Sequence, residues 1–365
     1  MEGVVSSISS FWPGRSVFLT GHTGFKGGWL AAWLHKLGAN VHGFALEAPT
    51  TPNLFQVARI GSLLASDTRA DLADLPRLTA AMANARPDIV FHLAAQPLVR
   101  ESYQDPIRTF ATNVIGTAHV LEAVRRAPDV RSVVLITSDK VYDNIESDHR
   151  YQESDPLGGR DPYSASKAAA EIIAASYRSS FFDGERRHAG RVATARAGNV
   201  IGGADWARGR LVPDCLRAFD QGEPVHLRYP DAVRPWQHVL EPLSGYLRLA
   251  EQLTTDDGDQ YATAWNFGPD ESDDATVAQV AEQIAVLWGE GARVELAGSP
   301  DDAPEAGLLR LDSSRARKAL GWAPRWSLPE ALDRTLSWHR AWKTDADMLA
   351  VTQSQITEYQ TGSGS

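Results

Sequence analysis

An acid and a base stand side by side in the stretch LITSDKVYDN, where Asp139 and Lys140 follow a short β-like run and Ser138. A protonated carboxyl can donate a proton to a departing hydroxyl, and a neutral lysine can remove a proton from carbon. A solvated turn after a strand would carry the same residue types. The pair alone therefore leaves catalysis and a plain turn both open.

A tyrosine and a lysine are spaced for proton transfer in YSASK, at the start of a predicted helix. Tyr163 and Lys167 are four residues apart, so their side chains share one helix face. An ammonium near a phenol favours the phenolate, which predicts that the pKa of Tyr163 falls below its usual value of about 10. Tyr163 can then act as a general base toward an alcohol while a cofactor accepts hydride. Because Y-x-x-x-K is common in helices, it indicates catalysis only in combination with the motifs around it.

Three glycines punctuate the stretch TGHTGFKG, between the first predicted strand and the first predicted helix. Glycine lets backbone N–H groups approach a pyrophosphate closely, and the helix N-terminus attracts its negative charge. The spacing therefore predicts a dinucleotide site. Its expected contacts are Gly21, Thr23, Gly24, Phe25, Lys26 and Gly27.

The acid that binds the adenosine ribose is harder to place. Glu47 comes slightly late after the second predicted strand, and a surface glutamate explains it equally well. Asp67, on the third predicted strand, is the better candidate for the adenine side. No arginine stands where a 2′-phosphate would need one, which favours NAD over NADP.

Strand-like and helix-like segments alternate through the first half of the chain. This alternation predicts an α/β fold, a Rossmann-like doubly wound parallel sheet with helices on both faces. After about residue 199 the rhythm becomes irregular and the chain richer in Gly, Pro, Trp and Arg. We expect an NAD-binding domain over 1–198 that also receives chain from about 236–268, a smaller α/β substrate domain over 199–355, and a disordered tail over 356–365.

The bulk composition excludes several classes of protein. The 365 residues are 43% hydrophobic and 22% charged, the profile of a folded globular protein. The net charge of −10 argues against a nucleic-acid partner. Cys215 is the single cysteine, and we see neither a signal-like N-terminus nor an apolar run of transmembrane length, so we expect a cytoplasmic protein without a membrane partner. No metal-ligand cluster has the usual spacing, so no metal site is predicted.

The glycine turn, Ser138 and YSASK together resemble the extended short-chain dehydrogenase/reductase family over nearly the whole chain. The resemblance implies a Rossmann domain that holds NAD and a C-terminal domain that holds a nucleotide sugar. Ser138 matches the family's active-site Ser or Thr, and Asn113 in FATNVIGT matches its structural asparagine. The family's cofactor loop falls on Leu93, Ala94 and Ala95 in HLAAQ.

Within the family, the residues after Ser138 indicate one reaction. Epimerases typically carry small residues where this chain has Asp139 and Lys140, whereas 4,6-dehydratases carry proton-handling ones. The resemblance of long blocks such as DPLGGRDPYSASK and GNVIGGADWARGRLVPD implies 4,6-dehydration, with CDP-glucose as the expected substrate and hydride returned to C6. Asp139 would protonate the departing C6 hydroxyl. Lys140 would remove the C5 proton, or stabilise the enolate if it stays charged.

The expected substrate contacts lie mostly in the second half. They are Gln96, Asn199, Arg210, Leu211 and Arg234, with the arginines as cations for a diphosphate. Two positions depart from the resemblance: Ala204 stands where a third glycine is expected, and no histidine precedes Glu305. The resemblance also implies a homo-oligomer, a dimer or a tetramer, in which helices near 105–127 and 161–182 pair across a two-fold axis.

Two kinds of alternative remain open. One is a 4,6-dehydratase or 4-epimerase that acts on a UDP-, dTDP- or GDP-linked sugar. The other is a non-catalytic regulator that binds NAD(H), although such a protein would tend to lose Tyr163 or Lys167.

Overall fold

Parallel strands form the centre of the computed structural model, which describes residues 8–182, 188–296 and 307–362. The strands are β1 Ser16–Thr20, β2 Asn40–Ala45, β3 Ser66–Arg69, β4 Ile89–His92, β5 Ser132–Ile136, β6 Arg150–Tyr151, β7 Arg191–Ala197, β8 Val200–Ile201, β9 Val225–Leu227, β10 Val233–Pro235, β11 Gln237–His238, β12 Ala264–Phe267, β13 Asp274–Thr276, β14 Val294–Leu296 and β15 Arg310–Leu311. In these ranges seven of them make one parallel sheet in the order β3-β2-β1-β4-β5-β7-β12. The predicted doubly wound parallel sheet is confirmed.

Helices cover both faces of this sheet. They are α1 Ile8–Phe11, α2 Phe25–Lys36, α3 Leu54–Val57, α4 Leu75–Ala85, α5 Val99–Gln104, α6 Pro106–Phe110, α7 Gly116–Arg125, α8 Pro162–Tyr177, α9 Leu211–Asp220, α10 Leu240–Leu253, α11 Val277–Trp288, α12 Ser314–Leu320, α13 Leu328–Lys343 and α14 Met348–Thr361. Successive strand residues point to opposite faces, so Val17 and Leu19 of β1 join one core and Phe18 joins the other. The first core includes α2, α10 and α14, and the second includes α4, α7 and α8.

Helix α2 shows how the sequence pattern sets the first core. Trp29, Leu30, Trp33 and Leu34 recur at helical spacing, and all four are buried. The helix ends before Gly38, whose φ of +85° suits glycine. The buried face holds the N-terminus of α2 against the end of β1, where the glycine turn lies.

The second half builds a smaller unit with its own core. Residues from α9, α11 and α13 pack together there, and short strand pairs join β8 to β11, β9 to β14 and β10 to β13. The chain returns to the main sheet in between, because β12 pairs with β7 and α10 packs on β5 and β7. These returning elements lie within 236–268.

The expected disordered tail over 356–365 is wrong for the residues that the structure describes. Helix α14 extends to Thr361, and its Ile356 and Tyr359 are buried in the first core. The ring of Tyr359 meets Trp33 of α2 edge-on, with centroids 5.6 Å apart. The mostly polar sequence of α14 hid this burial, because contacts with α2 and α13 decide it. Residues 363–365 lie outside the described ranges.

Candidate active site

The glycine turn lies at the carboxyl ends of β1 and β4, where the strand order reverses direction. Gly21 has a φ of +77°, and a Cβ there would lie 2.6 Å from the backbone nitrogen of Ala94. A Cβ at Gly27 would lie only 2.1 Å from the carbonyl oxygen of Gly21. The N–H of Gly24 donates to the same oxygen at 3.0 Å. Sterics therefore demand glycine at positions 21 and 27, which brings backbone to the place where a pyrophosphate would bind.

Several predicted cofactor contacts meet at this edge of the sheet. The N–H of Leu93 donates to the carbonyl of Thr20, and that of Ala94 donates to the Thr20 hydroxyl. The Thr23 hydroxyl donates to the carbonyl of Leu46 at 3.0 Å, which ties the turn to the end of β2. The structure places here the predicted contacts Thr23, Phe25, Lys26, Leu93, Ala94 and Ala95.

The adenosine end carries an arginine that the sequence interpretation missed. Arg69 donates to both carboxylate oxygens of Asp67, at 2.8 and 2.9 Å, and its Nη1 lies 3.3 Å from Oε2 of Glu47. His22 of the glycine turn also contacts Asp67, at 2.9 Å. The ends of β2 and β3 meet because Ala45 pairs with Arg69 across the sheet. The carboxylates of Asp67 and Glu47 balance the charge of Arg69. This arrangement disfavours the 2′-phosphate of NADP and agrees with NAD.

Asp139 lies in a one-turn helix directly after β5, with 2% of its surface exposed. Its Oδ1 accepts a hydrogen bond from the Ser138 hydroxyl at 2.9 Å, whereas its buried Oδ2 has no partner among the described residues. Burial raises the pKa of Asp139, although the charges of Lys140, Arg234 and Lys26 oppose the shift. Asp139 is therefore not part of a solvated turn: its carboxyl is buried, and desolvation makes its ionised form less favourable than in water.

Tyr163 and Lys167 share the first turns of α8, as predicted. The Asp161 side chain caps this helix by accepting from the N–H of Ser164. The Lys167 Nζ donates to the carbonyl of Ile136 at 3.1 Å, and burial lowers the Lys167 pKa to about 8. Burial also raises the pKa of Tyr163 to about 12, while a hydrogen bond with Ser138 acts to lower it.

The direction of the Tyr163 shift is opposite to our expectation. We expected the Lys167 ammonium to lower the phenol pKa, but desolvation of the phenolate is the larger effect. Arg210 is the cation that opposes the shift, and the charge of Asp139 adds to it. A protonated phenol beside a buried carboxyl is the resting arrangement of this site.

Lys26 brings a further charge to the same place. Its Nζ lies 5.8 Å from the centre of the Tyr246 ring. Burial lowers the Lys26 pKa to about 7, and the cations Arg210 and Lys167 lower it further, while Asp139 raises it. The glycine turn therefore contributes a titratable side chain to the catalytic groups as well as backbone to the cofactor site.

Arg210 and Arg234 both approach these groups. Arg210 forms a 2.8 Å ion pair with Asp205 and acts electrostatically on Tyr163 and Lys26. Arg234 is buried, donates to the carbonyls of Val233 and Gly307, and acts on Asp139. The structure thus brings the two predicted cations toward one site from separate segments of the second half.

The remaining predicted contacts line the surrounding loops. Asn113, in a π-helical turn over Ala111–Ile115, holds Gln96 by two backbone hydrogen bonds. The Gln96 amide donates to the carbonyl of Leu98 in its own loop and to the hydroxyl of Thr109 in α6. Asn199 accepts from the Gln237 N–H through its carbonyl, and Leu211 opens α9 next to Arg210.

The two departures from the expected pattern have different outcomes. Ala204 has a φ of +70°, so the expected glycine would suit this backbone, and the alanine is strained there. Glu305 lies outside the described residues.

A buried ion pair under α8 escaped the sequence interpretation. Glu171 and Arg196 are both buried, and two parallel hydrogen bonds of 2.9 and 3.0 Å join them. Glu171 lies four residues after Lys167, so helical spacing could have drawn attention to it. Arg196 lies on β7, and only the packed fold brings it near.

Comparison with known proteins places this geometry in a family. The sequence model of the family described as GDP-mannose 4,6 dehydratase matches residues 18–335. The CDP-glucose 4,6-dehydratase of Salmonella typhimurium is 49% identical over 352 residues, which cover 96% of this chain and 97% of that protein.

Solved structures give the same answer for the fold. MoeE5 in complex with UDP-glucuronic acid and NAD superposes with a TM-score of 0.74 and 26% identity, covering 90% of this chain and 99% of that one. The dTDP-glucose 4,6-dehydratase of Bacillus anthracis, in complex with NAD, has a TM-score of 0.73 at 21% identity and covers 91% and 99%. No helix in the described ranges is both long and apolar enough to cross a bilayer. The chain belongs to the extended short-chain dehydrogenase/reductase family, among the nucleotide-sugar 4,6-dehydratases.

Proposed function

We propose that this chain converts CDP-glucose to CDP-4-keto-6-deoxyglucose and water, with NAD as a cofactor that is regenerated in each cycle. The observation that carries the reaction type is the buried, half-partnered Asp139 beside Ser138 and Tyr163. An epimerase needs no such acid, whereas loss of a hydroxyl does. The CDP-linked substrate is supported by the 49% identical Salmonella relative.

The residues at the strand ends fit a dinucleotide. Gly21 and Gly27 let the backbone of the turn pack closely at the end of β1, and Asp67 of β3 contacts His22 of the same turn. The glycine turn would hold NAD, which would supply a hydride acceptor for C4 of the sugar and a hydride donor for C6.

The first chemical step assigned to the protein is removal of the C4 hydroxyl proton. Tyr163 can accept that proton only as the phenolate, a form that burial disfavours and that Ser138 and Arg210 favour. Arg210 lowers the pKa of Tyr163, and the Lys167 ammonium stabilises negative charge nearby. Because burial lowers the pKa of Lys167 to about 8, this support weakens as the pH rises above that value.

Elimination of water needs an acid at C6 and a base at C5. Asp139 donates the proton to the departing C6 hydroxyl, since burial keeps its pKa raised. Lys140 is the candidate that removes the C5 proton or, if it stays charged, stabilises the enolate. Lys26, from the glycine turn, adds a further basic side chain that interacts electrostatically with Asp139.

The diphosphate requires cations, and the candidates on the substrate side are the partly exposed Arg210 and the buried Arg234. Gln96, Asn199 and Leu211 are proposed as further substrate contacts. Arg234 reaches the site from β10, next to Gly307.

Turnover of a set of nucleotide sugars tests this function directly. Purified protein with NAD is incubated separately with CDP-, UDP- and dTDP-glucose and with GDP-mannose, and 4-keto sugar is measured by the absorbance that it develops in strong base. We expect product from CDP-glucose and none with the Tyr163→Phe variant. Product from another nucleotide sugar alone would overturn the assignment of CDP-glucose, and a C4 epimer would overturn the assignment of the reaction.

A homo-oligomer is the assembly that the surface supports. Large apolar side chains are exposed on the two segments predicted to pair: Ile107, Phe110, Ile115, Ile172 and Phe181. We place the protein in the cytoplasm, where its buried free thiol at Cys215 would stay reduced. Light scattering of Ile115→Lys against the unchanged protein tests the interface, because a charge there should dissociate the oligomer.

A further inference from the structure

The segment that carries the catalytic acid is fastened at both ends to one buried ion pair. At its start, the Thr137 hydroxyl donates to Oε1 of Glu171 at 2.6 Å. At its end, the Tyr142 hydroxyl accepts from Nη1 of Arg196 at 2.9 Å. Ser138, Asp139 and Lys140 lie between these two anchors. Residues 137–142 form what we call the catalytic turn.

The pair itself is fully partnered. Glu171 accepts from Thr137, Thr194 and both donors of the Arg196 fork, so each carboxylate oxygen has two donors. Arg196 also donates to the carbonyl of Glu153 at 3.2 Å. Such a network has a defined geometry, because each hydrogen bond fixes the direction of the next.

Stability alone does not account for this arrangement. A buried ion pair can often be replaced by apolar side chains at little loss of stability, because desolvation of the charges offsets their attraction. What apolar side chains cannot supply is a fixed position for Thr137 and Tyr142. Glu171 also stands one helical turn beyond Lys167 and raises that lysine's pKa against the effect of burial.

We propose that Glu171 and Arg196 are positioning residues, which hold the catalytic turn against helix α8 so that Ser138 and Asp139 face Tyr163. This inference rests on the proposed dehydratase function. Glu171 acts through Thr137 on the start of the turn, and Arg196 acts through Tyr142 on its end.

Two threonines provide a matched test. Thr137 and Thr194 are both buried, and each donates at 2.6 Å to one oxygen of Glu171, but only Thr137 adjoins Ser138. In each case, replacement by valine removes one equivalent hydrogen bond from a threonine hydroxyl to Glu171. We expect Thr137→Val to lower kcat by about tenfold, since a small misplacement of catalytic groups is sufficient for that loss. Thr194→Val should keep kcat within about twofold, although both variants lose similar stability.

The readouts separate positioning from simple loss of structure. Steady-state kcat and KM with CDP-glucose, the isotope effect with CDP-[4-²H]glucose, and urea unfolding are measured for both variants. We expect the Thr137→Val loss in kcat with little change in KM, a larger isotope effect, and rescue by Thr137→Ser. Tyr142→Phe should lose kcat in the same way.

Equal kcat in the two valine variants would overturn the inference, as would losses that follow stability alone. Absence of turnover in the unchanged protein would instead overturn the proposed function, which keeps the two failures distinct. The valine variants retain the ion pair, so the test does not require a buried charge to stand alone.

Discussion

Two buried carboxylates lie near the end of β5, and their pKa values are shifted in opposite directions. Glu171 accepts four hydrogen bonds, two of them from a guanidinium, and its pKa is lowered despite desolvation. Asp139 accepts one from Ser138, keeps an unpartnered Oδ2, and its pKa is raised. The number and charge of donors, rather than depth, therefore decide which acid can hold a proton.

This difference in pKa suits Glu171 and Asp139 to different roles. A carboxylate held ionised by its donors can fix geometry but has no proton to give. An acid deprived of donors can give a proton but contributes little to stability. If Asp139 and Glu171 differ in this way, substitution of Asp139 should act on turnover and substitution of Glu171 on stability.

The largest effect is expected from Asp139→Asn, which keeps the shape of the side chain but removes its acidic proton. Dehydration turnover should fall by about 10³-fold, because the departing hydroxyl loses its general acid. Oxidation at C4 in a single turnover should continue, since Tyr163 and Lys167 are intact. Nicotinamide absorbance and keto-sugar product, followed in one reaction, distinguish the two steps. Dehydration at the unchanged rate would exclude Asp139 as the acid.

The corresponding change at Glu171 should act on stability. Glu171→Gln leaves the buried Arg196 without its counter-ion, so the free energy of unfolding should fall by about 3–5 kcal/mol. The double variant Glu171→Leu with Arg196→Met removes both charges and should recover most of that loss. Urea unfolding measures both. A loss below about 1 kcal/mol in the single variant, typical of exposed pairs, would contradict a tightly coupled buried pair.

Stability should also depend on pH with opposite signs at the two acids. Asp139 has a raised pKa in the folded state, so its contribution is present below its ordinary value of 3.8 and is lost as the pH rises through the folded pKa. Glu171 has a lowered pKa, so its contribution is present above 4.5 and is lost as the pH falls through the folded pKa.

Asp139→Asn tests this sign. Relative to the unchanged protein, the variant should become more stable as the pH rises. At neutral pH the gain should be on the order of 1 kcal/mol, which is the cost of leaving a buried acceptor without a partner. Urea unfolding from about pH 4 to about pH 8 gives the comparison. A variant that is less stable at neutral pH would show that Asp139 is stabilised as an anion, like Glu171.

The smallest effect is expected at Ala204, whose positive φ makes it a test of backbone strain rather than of either acid. Glycine relieves the strain of φ +70°, although its greater backbone entropy in the unfolded chain offsets part of the gain, so Ala204→Gly should add less than about 1 kcal/mol. Ala207→Gly, in the same loop but without a positive φ, should give no gain. Thermal unfolding measures the stability of the two variants. A gain in stability in both would contradict the explanation by backbone strain at Ala204.

Local patterns predicted the parts of the site that are close in sequence. The Gly21 and Gly27 spacing, the Tyr163 and Lys167 pair, and Asp139 after a strand could all be identified because each lies within one turn or one helix face. The strand and helix alternation was equally local, and it predicted the parallel sheet that brings these motifs to one edge.

What could not be predicted depends on contacts between distant segments. Arg69 meets Glu47 only because β2 and β3 are neighbours, and Arg196 meets Glu171 only because β7 packs under α8. The direction of the Tyr163 pKa shift depends on how deeply the phenol is buried, which no spacing reveals. Helix α14 was missed for a related reason, because its burial comes from α2 and α13 rather than from an apolar stripe of its own.

One measurement tests the central claim most directly: the fate of deuterium from CDP-[4-²H]glucose. The protein is incubated with this substrate and NAD in ordinary water, and the product is examined by NMR and mass spectrometry. The account predicts a 4-keto-6-deoxy sugar with deuterium at C6 and solvent hydrogen at C5, since hydride leaves C4 and returns to C6. Deuterium that remains at C4, in a CDP-hexose that keeps its C6 hydroxyl, would contradict the account.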